Sequence, residues 1–427
     1  LHWQKQSPAE HIARTMEVIY SNGMTTLSGG NISVMTHDDQ LWITPAGVDK
    51  GKVTADDMVC LNKEGTVKGK HRPSSELPFH QKIYRQRKDI KAVIHAHPPG
   101  LMAFSLAHEL PDPEIIPSFG LSIGKIGYAA YALPGSQRLS VRIAEPFAAG
   151  CQAVLLENHG VVTAGATLWE AFHRLEALEL LAAILIQAKR IGQIKKAACR
   201  SLLAEYAEGK ETVEIETPAS ARAAKELKEE MVRFIMRGLN RRLLFSSLSV
   251  LSVRVNSTDF LITPADGGLV NITTHDLVLL SKGRSETGKR PHPFDRLHHT
   301  IYRQHAAIGT IIQSPAPHIT AFAVSDQRFD SRLIPESYVV LRETLRVSLN
   351  DLRQNLQDLS SLLSAQRPAL LLENEGVLIT GANLLQAFDR LEVADFSARA
   401  MIDALTAGKI NPIPQNEIRE IEKKFLT

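Results

Sequence analysis

Two histidines stand one residue apart in Ile94-His95-Ala96-His97, and a third follows in Asn158-His159-Gly160. Residues two apart on an extended strand point to the same face, so His95 and His97 project together. Imidazole nitrogens at about 2.0–2.1 Å suit Zn²⁺, and three histidines plus one open position is the ligand count of a catalytic site. His159 lies just past a separate apolar run, in a turn that Gly160 permits, where a third ligand can converge. A lone His-x-His is commonly a surface or hydrogen-bonded pair. What sets this one apart is a second copy of the surrounding sequence from which all three histidines are missing.

The duplication is clearest where Leu155-Leu156-Glu157-Asn158-His159-Gly160-Val161 faces Leu371-Leu372-Glu373-Asn374-Glu375-Gly376-Val377. Ile43-Thr44-Pro45-Ala46 likewise matches Ile262-Thr263-Pro264-Ala265, and Ile83-Tyr84-Arg85 matches Ile301-Tyr302-Arg303. The offsets are 216 (155 to 371), 219 (43 to 262) and 218 (83 to 301), a drift of a few residues. Repeats of solenoids run only ~20–50 residues, so a period this long is a duplicated domain. The metal-ligand positions become Gln313, Pro315 and Glu375 in the second copy. Joint loss implies one shared purpose in the first copy and a retired second one.

Two further features are lost with the histidines. Pro73-Ser74-Ser75-Glu76 is expected to open a helix, where free amides, the helix dipole and two hydroxyls make an anion site beside a carboxylate. Its counterparts are His292, Pro293 and Phe294. The loop Ser28-Gly29-Gly30-Asn31 offers backbone amides and a carboxamide, and its counterpart is Ser247-Leu248-Ser249-Val250. By themselves the serines could be ordinary N-caps and the glycines an ordinary turn.

These residues need a scaffold. Ser7-Pro8-Ala9-Glu10 combines a capping box with proline at the first helical position and predicts a helix to about Tyr20. Asn31 to Met35 and Gln40 to Thr44 read as strands joined by the turn at His37-Asp38-Asp39. Pro73 to Asp89 reads as a second helix, Lys91 to His97 as a strand stopped by Pro98-Pro99, Ala153 to Glu157 as another strand, and Leu168 to Arg190 as a long helix. The mixture predicts an α/β sandwich. Periodicity alone leaves a parallel and an antiparallel sheet equally open.

The 427 residues suit two or three domains, and we place them at 1–209, with the metal site, and 210–427, without it. The linker falls between about Ile191 and Glu230, a Lys/Glu/Ala-rich stretch interrupted by Gly209 and Pro218. The balance of 49 Lys+Arg against 46 Asp+Glu argues against nucleic acid as a partner. The basic run from Lys195-Lys196 to Arg200 reads as a solvated helix face. No stretch approaches the ~18 apolar residues of a membrane span, and no signal peptide is evident. Three widely spaced cysteines, Cys60, Cys151 and Cys199, fit a reducing cytoplasm better than a disulfide framework.

As a set, Gly30-Asn31, Thr44-Pro45 with Gly47, Ser74-Ser75-Glu76, His95-x-His97 and Asn158-His159-Gly160 resemble the class II aldolase/adducin family, in particular its zinc-dependent fuculose- and rhamnulose-phosphate aldolases. The resemblance covers nearly all of the first half and, in framework only, nearly all of the second. It implies two tandem α/β/α sandwich domains, each around a mainly antiparallel sheet. It implies one Zn²⁺ per chain, or another divalent transition metal, on His95, His97 and His159. Glu76 would be the general acid/base, and Gly30, Asn31, Thr44, Gly47, Ser74 and Ser75 would hold a sugar phosphate. The implied reaction is retro-aldol cleavage of a ketose phosphate or related hydroxyketone, whose enediolate charge the cation stabilises. The family's epimerases carry Asp where this chain has Glu76, which favours carbon–carbon chemistry. A decarboxylase or dehydratase acting on a sugar-acid phosphate would use the same residues, and an adducin-like scaffold would use none of them.

Two residues depart from the family pattern. Ala46 stands where a hydroxyl residue often precedes Gly47, so one phosphate donor is missing. The aldolases protonate the leaving oxygen with a tyrosine from a neighbouring subunit, yet the first half reads Ile116-Pro117-Ser118-Phe119 there, while the second reads Ile334-Pro335-Glu336-Ser337-Tyr338. Family members commonly form fourfold rings. A homodimer of tandem chains would make a pseudo-tetrameric ring in which Tyr338 completes the first domain's site.

Overall fold

A computed structural model of the chain describes residues 7–197, 214–215, 224–246, 248–265, 268–348 and 356–426. The expected linker at Gly209 and Pro218, Cys199, Arg200 and Ser247 lie outside the described residues. The chain divides into two compact units, residues 1–113 with 119–183, and 114–118 with 184–427.

In the first unit α1 spans Pro8–Ser21 and begins as its sequence predicts, with the Ser7 side chain accepting the Glu10 amide and Glu10 reaching back to the Ser7 amide. Eight strands follow among helices: β1 Asn31–Met35, β2 Leu41–Ile43, β3 Val59–Leu61, β4 Val67–Lys68, then α2 Leu77–Gln86, β5 Ala92–Ala96, α3 Pro99–Ala107, α4 Pro117–Ile123, β6 Ile126–Ala129, α5 Gln137–Ala148, β7 Ala153–Leu156, β8 Gly160–Gly165 and α6 Leu168–Ile191. The sheet order is β4-β3-β2-β1-β5-β8-β7-β6. Only the β6–β7 pair is parallel. β5 is buried along its whole length, and a strand covered on both faces shows no alternation that sequence could reveal. One face packs on α2 and α5 through Phe79, Ile83, Ile143, Phe147, Val93, Val154 and Val162.

The second unit repeats this frame. Its strands are β9 Glu214–Ile215, β10 Val250–Arg254, β11 Asp259–Ile262, β12 Val278–Ser281, β13 Arg284–Glu286, β14 Thr310–Ser314, β15 Thr344–Val347, β16 Ala369–Leu372 and β17 Gly376–Gly381. Their order is β15-β16-β17-β14-β10-β11-β12-β13-β9, antiparallel except at β15–β16 and β13–β9. Helices Asp295–Gln304 and Leu384–Ala407 stand where α2 and α6 stand in the first unit. The fold is therefore two tandem α/β units, each a mainly antiparallel sheet flanked by helices.

One element starts later than its sequence suggests. Pro73 forms a bridge with Pro45, and the Ser74 amide donates to Thr44 O at 3.2 Å, so Pro73 and Ser74 are tied to the chain that leaves β2 and Ser75 begins a turn. The helix begins only at Leu77, with Glu76 as its N-cap residue. Ser74 and Ser75 thus lie in the approach to the helix, outside its first turn.

Candidate metal centre

Strand register brings the site together. Asn31 on β1 is paired directly opposite His95 on β5, and β5 in turn pairs with β8, His95 against Val162. His97 leaves the end of β5. His159 sits in the tight turn between β7 and β8, where Asn158 takes a left-handed φ of 54°. Gly160 has φ +153°, and a Cβ there would meet Ala96 O at 2.5 Å and His97 Cδ2 at 2.7 Å. Glycine is required by backbone angle and by space, because the turn is pressed against the β5 histidines.

The donor atoms of His95, His97 and His159 lie within 4.8 Å of one another. His95 Nε2 is 3.0 Å from His97 Nε2. Ligand atoms around a tetrahedral Zn²⁺ would be separated by about 3.3 Å, given bonds of about 2.0–2.1 Å. His95 Nδ1 faces Val161 O at 3.0 Å; a carbonyl only accepts, so the proton is on Nδ1 and Nε2 presents its lone pair inward. Burial, followed by the neighbouring His159, holds the His95 pKa down to about 3. His97 is pushed down to about 3 by burial and the other two histidines, and burial lowers His159 as well. Three clustered neutral imidazoles are the donor set a divalent cation needs, and the residues fit one.

Glu76 closes the cluster. Its Oε2 is 3.3 Å from His95 Nε2 and its Oε1 is 3.5 Å from His159 Nε2. Asn31 Nδ2 donates to Oε2 at 2.7 Å, while the buried Oε1 has no hydrogen-bond partner. The carboxylate is anchored by one oxygen and leaves the other available.

Behind Asn31 runs a chain that the sequence reading did not include. His80 Nε2 lies 2.5 Å from Asn31 Oδ1, and His80 Nδ1 is 2.7 Å from Ser33 Oγ. The Asn31 amide group must donate to Glu76, so its oxygen accepts; His80 therefore carries its proton on Nε2 and accepts the Ser33 hydroxyl at Nδ1. Tyr84 donates to Ser33 O at 3.0 Å. The second unit keeps His298, Ser252 and Tyr302 in the same arrangement, with His298 Nδ1 2.7 Å from Ser252 Oγ. Val250 replaces Asn31 there, and His298 Nε2 is left buried without a partner. The common Phe-or-Leu, His and Tyr spacing on both helices was the available signal, and it reads as core.

The anion residues divide into two kinds. Gly30 has φ +72° and a Cβ there would meet His95 O at 2.8 Å; Gly47 has φ +68° with open space around it. The Thr44 hydroxyl is buried and accepts the Ile32 amide at 3.1 Å, so it ties the loop to β1. Ser74 Oγ accepts the Glu76 amide at 3.3 Å, and Ser75 is exposed. Beside them is the buried Lys50, whose Nζ donates to Pro45 O at 2.6 Å and whose pKa is pushed down to about 8 by burial. Tyr338 belongs to the second unit, where its hydroxyl donates to Glu422 Oε1 at 2.6 Å.

A model of the family described as Class II Aldolase and Adducin N-terminal domain matches residues 10–186 and again 229–402. The chain belongs to this family. Among curated relatives, the 5-deoxy-D-ribulose 1-phosphate aldolase of Bacillus thuringiensis is 34% identical over 193 residues, 44% of this chain and 89% of that protein. The L-fuculose phosphate aldolase of Methanocaldococcus jannaschii is 36% identical over 163 residues, 38% of this chain and 86% of that protein. The 3-oxo-tetronate 4-phosphate decarboxylase of Haemophilus influenzae is 32% identical over 164 residues, 38% of this chain and 78% of that protein. This class II aldolase-family chain thus has relatives named for two reaction types on small phosphorylated substrates. Among the described residues, no helix is long and apolar enough to cross a membrane.

Proposed function

We propose that the chain is a metal-dependent lyase that cleaves a ketose phosphate, or a related hydroxyketone, by retro-aldol chemistry in its first domain. The observation that supports this most strongly is Glu76, anchored by Asn31 at one oxygen and unpartnered at the other, beside three neutral imidazoles. His95, His97 and His159 would hold one Zn²⁺, which when bound supplies Lewis-acid stabilisation for negative charge on the substrate's vicinal oxygens. Glu76 gives its proton to the carbon from which the aldehyde departs, and takes it back in the condensation direction. Gly30, Gly47, Ser74 and Ser75 bind the phosphate, with Thr44 holding their loop in place. The buried Asn31–His80–Ser33 chain keeps the Glu76 anchor from rotating.

The domains are taken as 1–209 and 210–427, in a cytoplasmic homodimer that builds a pseudo-tetrameric ring. In it Tyr338 of a second molecule would exchange the proton on the aldehyde oxygen after releasing Glu422. Decarboxylation of a sugar-acid phosphate is the second reading, favoured by the absence of a tyrosine from Ile116-Pro117-Ser118-Phe119, where the register puts Gly120 opposite Tyr338: departing CO₂ has no oxygen to protonate.

Elemental analysis of wild type beside His95→Ala/His97→Ala decides the first point. About one transition metal per chain, absent from the variant, is expected; two per chain would overturn a single working domain, and none would leave an adducin-like scaffold. Product analysis then separates the reactions, aldehyde from a ketose phosphate or CO₂ from a 3-oxo-acid phosphate. Glu76→Gln should retain the metal and lose either activity. Tyr338→Phe should lower kcat/KM only if the tyrosine takes part.

A further inference from the structure

The two units differ at one more shared place, where a helix turns into β6 or β15. In the first unit Gly124 occupies the turn with φ +70°. Gln152 fills the space beside it, its Oε1 accepting the Lys125 amide at 2.8 Å. Arg174 lies at the same end of the sheet, donating to Ile123 O and Ala164 O, and its Nη2 is neutralised by Glu170 at 2.8 Å.

In the second unit the turn residue is Arg342, at φ 57°. Pro368 replaces Gln152, since each accepts the equivalent strand amide, from Thr380 and Ala164 respectively. Gln386 replaces Glu170 and keeps its backbone bond, accepting the Ala382 amide at 2.8 Å. Arg390 retains the carbonyl bonds of Arg174, to Thr380 O and Val340 O. Its Nη2, without the carboxylate, has no hydrogen-bond partner among the described residues. Arg342 reaches only the carbonyls of Leu426 and Phe425, at 3.4 and 3.5 Å.

The space-filling Gln152 and the Glu170 carboxylate have no counterparts here, the Arg342 guanidinium has been added, and Asp389 stands in place of His173. A cavity of about 730 Å³ lies there, lined among others by Arg342, Arg390, Gln304, Thr380, Gln386 and Asp389. That volume is in the range of small-molecule sites, about 300–1,000 Å³. Burial, and then the charge of Arg342, lower the Arg390 pKa, and the Asp389 carboxylate offsets them only in part. Two like charges with unused donors gain from an anion between them, and the planar guanidinium matches phosphate oxygens in pairs.

We propose that this cavity binds a small phosphorylated metabolite, with its phosphate between Arg342 and Arg390 and its polar body against Gln304, Thr380 and Gln386. The site is separate from the metal centre and does not depend on the reaction assigned there. The retired domain would then be a ligand-sensing one.

Calorimetric titration of the full chain with ribose 5-phosphate tests this, using Ser74→Ala/Ser75→Ala protein to suppress binding at the first domain's phosphate loop. Binding should persist in that protein and be absent for unphosphorylated ribose. Adding Arg342→Gly, which restores the first repeat's residue at a backbone angle glycine favours, should weaken it by about tenfold or more. Gln386→Glu, which rebuilds the Glu170–Arg174 pair, should do the same without touching the turn. No binding in the serine variant, or equal affinity after both cavity substitutions, would overturn the proposal.

Discussion

Glu375 occupies the turn position that His159 holds in the first repeat, and it offers a measurable consequence of that difference. Its side chain is buried, with 7% of its surface exposed, and its Oε1 has no hydrogen-bond partner. Burial raises its pKa from 4.5 to about 7. Between those two values the folded chain binds more protons than the unfolded chain, so stability must fall as pH rises and level off above the folded pKa. At 1.36 kcal/mol per pKa unit the full loss is about 3 kcal/mol, of which about 2 kcal/mol falls between pH 5.5 and 8.5. Gln cannot ionise and has nearly the shape of the protonated acid, so Glu375→Gln should remove this slope. Scanning calorimetry at the two pH values, with hydrogen exchange in β16 and β17 to assign the transition, measures it. Relative to wild type, the variant should gain about 4–8 °C in the second unit's Tm on going from pH 5.5 to 8.5, at about 2–4 °C per kcal/mol. A wild-type-minus-variant difference that does not change with pH would refute a buried, proton-holding Glu375.

Three further outcomes follow from the first unit. Gly160→Ala puts a methyl group 2.5 Å from Ala96 O; it should cost more than about 1 kcal/mol and lower metal content in the same preparation. Asn31→Leu should free Glu76 and orphan His80 as His298 is orphaned, reducing kcat by about tenfold or more while elemental analysis still finds the metal. Lys50→Met removes the bond to Pro45 O and should raise KM for a phosphorylated substrate several-fold with a smaller change in kcat, as expected for a residue that orders the phosphate loop.

The sequence brought out the three histidines that cluster in the fold because the duplication supplied its own control: three present together and absent together. It placed the strands around them nearly to the residue, since Pro98-Pro99 and Asn158-Gly160 punctuate sharply. It misjudged the start of α2, because Pro73 and the serines read as helix-initiating while the bridge between Pro45 and Pro73 holds that stretch extended beside the end of β2. Thr44 read as a phosphate-binding residue, and its hydroxyl also accepts the Ile32 amide, a bond that only the fold discloses. Ser33, His80 and Tyr84 gave no signal because their counterparts persist in the second copy, where they bind no Glu76 equivalent and hold only the core. The Arg342 cavity needed changes at three positions far apart in sequence, and only the fold places them at one end of a sheet.

The end of β5 also bears on how the second copy became what it is. His97 donates its backbone N–H to Met24 O at 3.2 Å, a bond that fixes the backbone of this strand-end histidine. Pro315, at the same place in the second unit, has no N–H to give, and the equivalent carbonyl, Leu243 O, is taken instead by the Ser314 hydroxyl at 2.5 Å. The vacancy has been filled by its neighbour. A histidine at 315 would bring its N–H to a carbonyl that already accepts the Ser314 hydroxyl, and the two donors would have to share its two lone pairs. The two repeats thus differ in the backbone at this strand end as well as in side chains, and a ligand set at 313, 315 and 375 would meet an end that a serine already ties to Leu243.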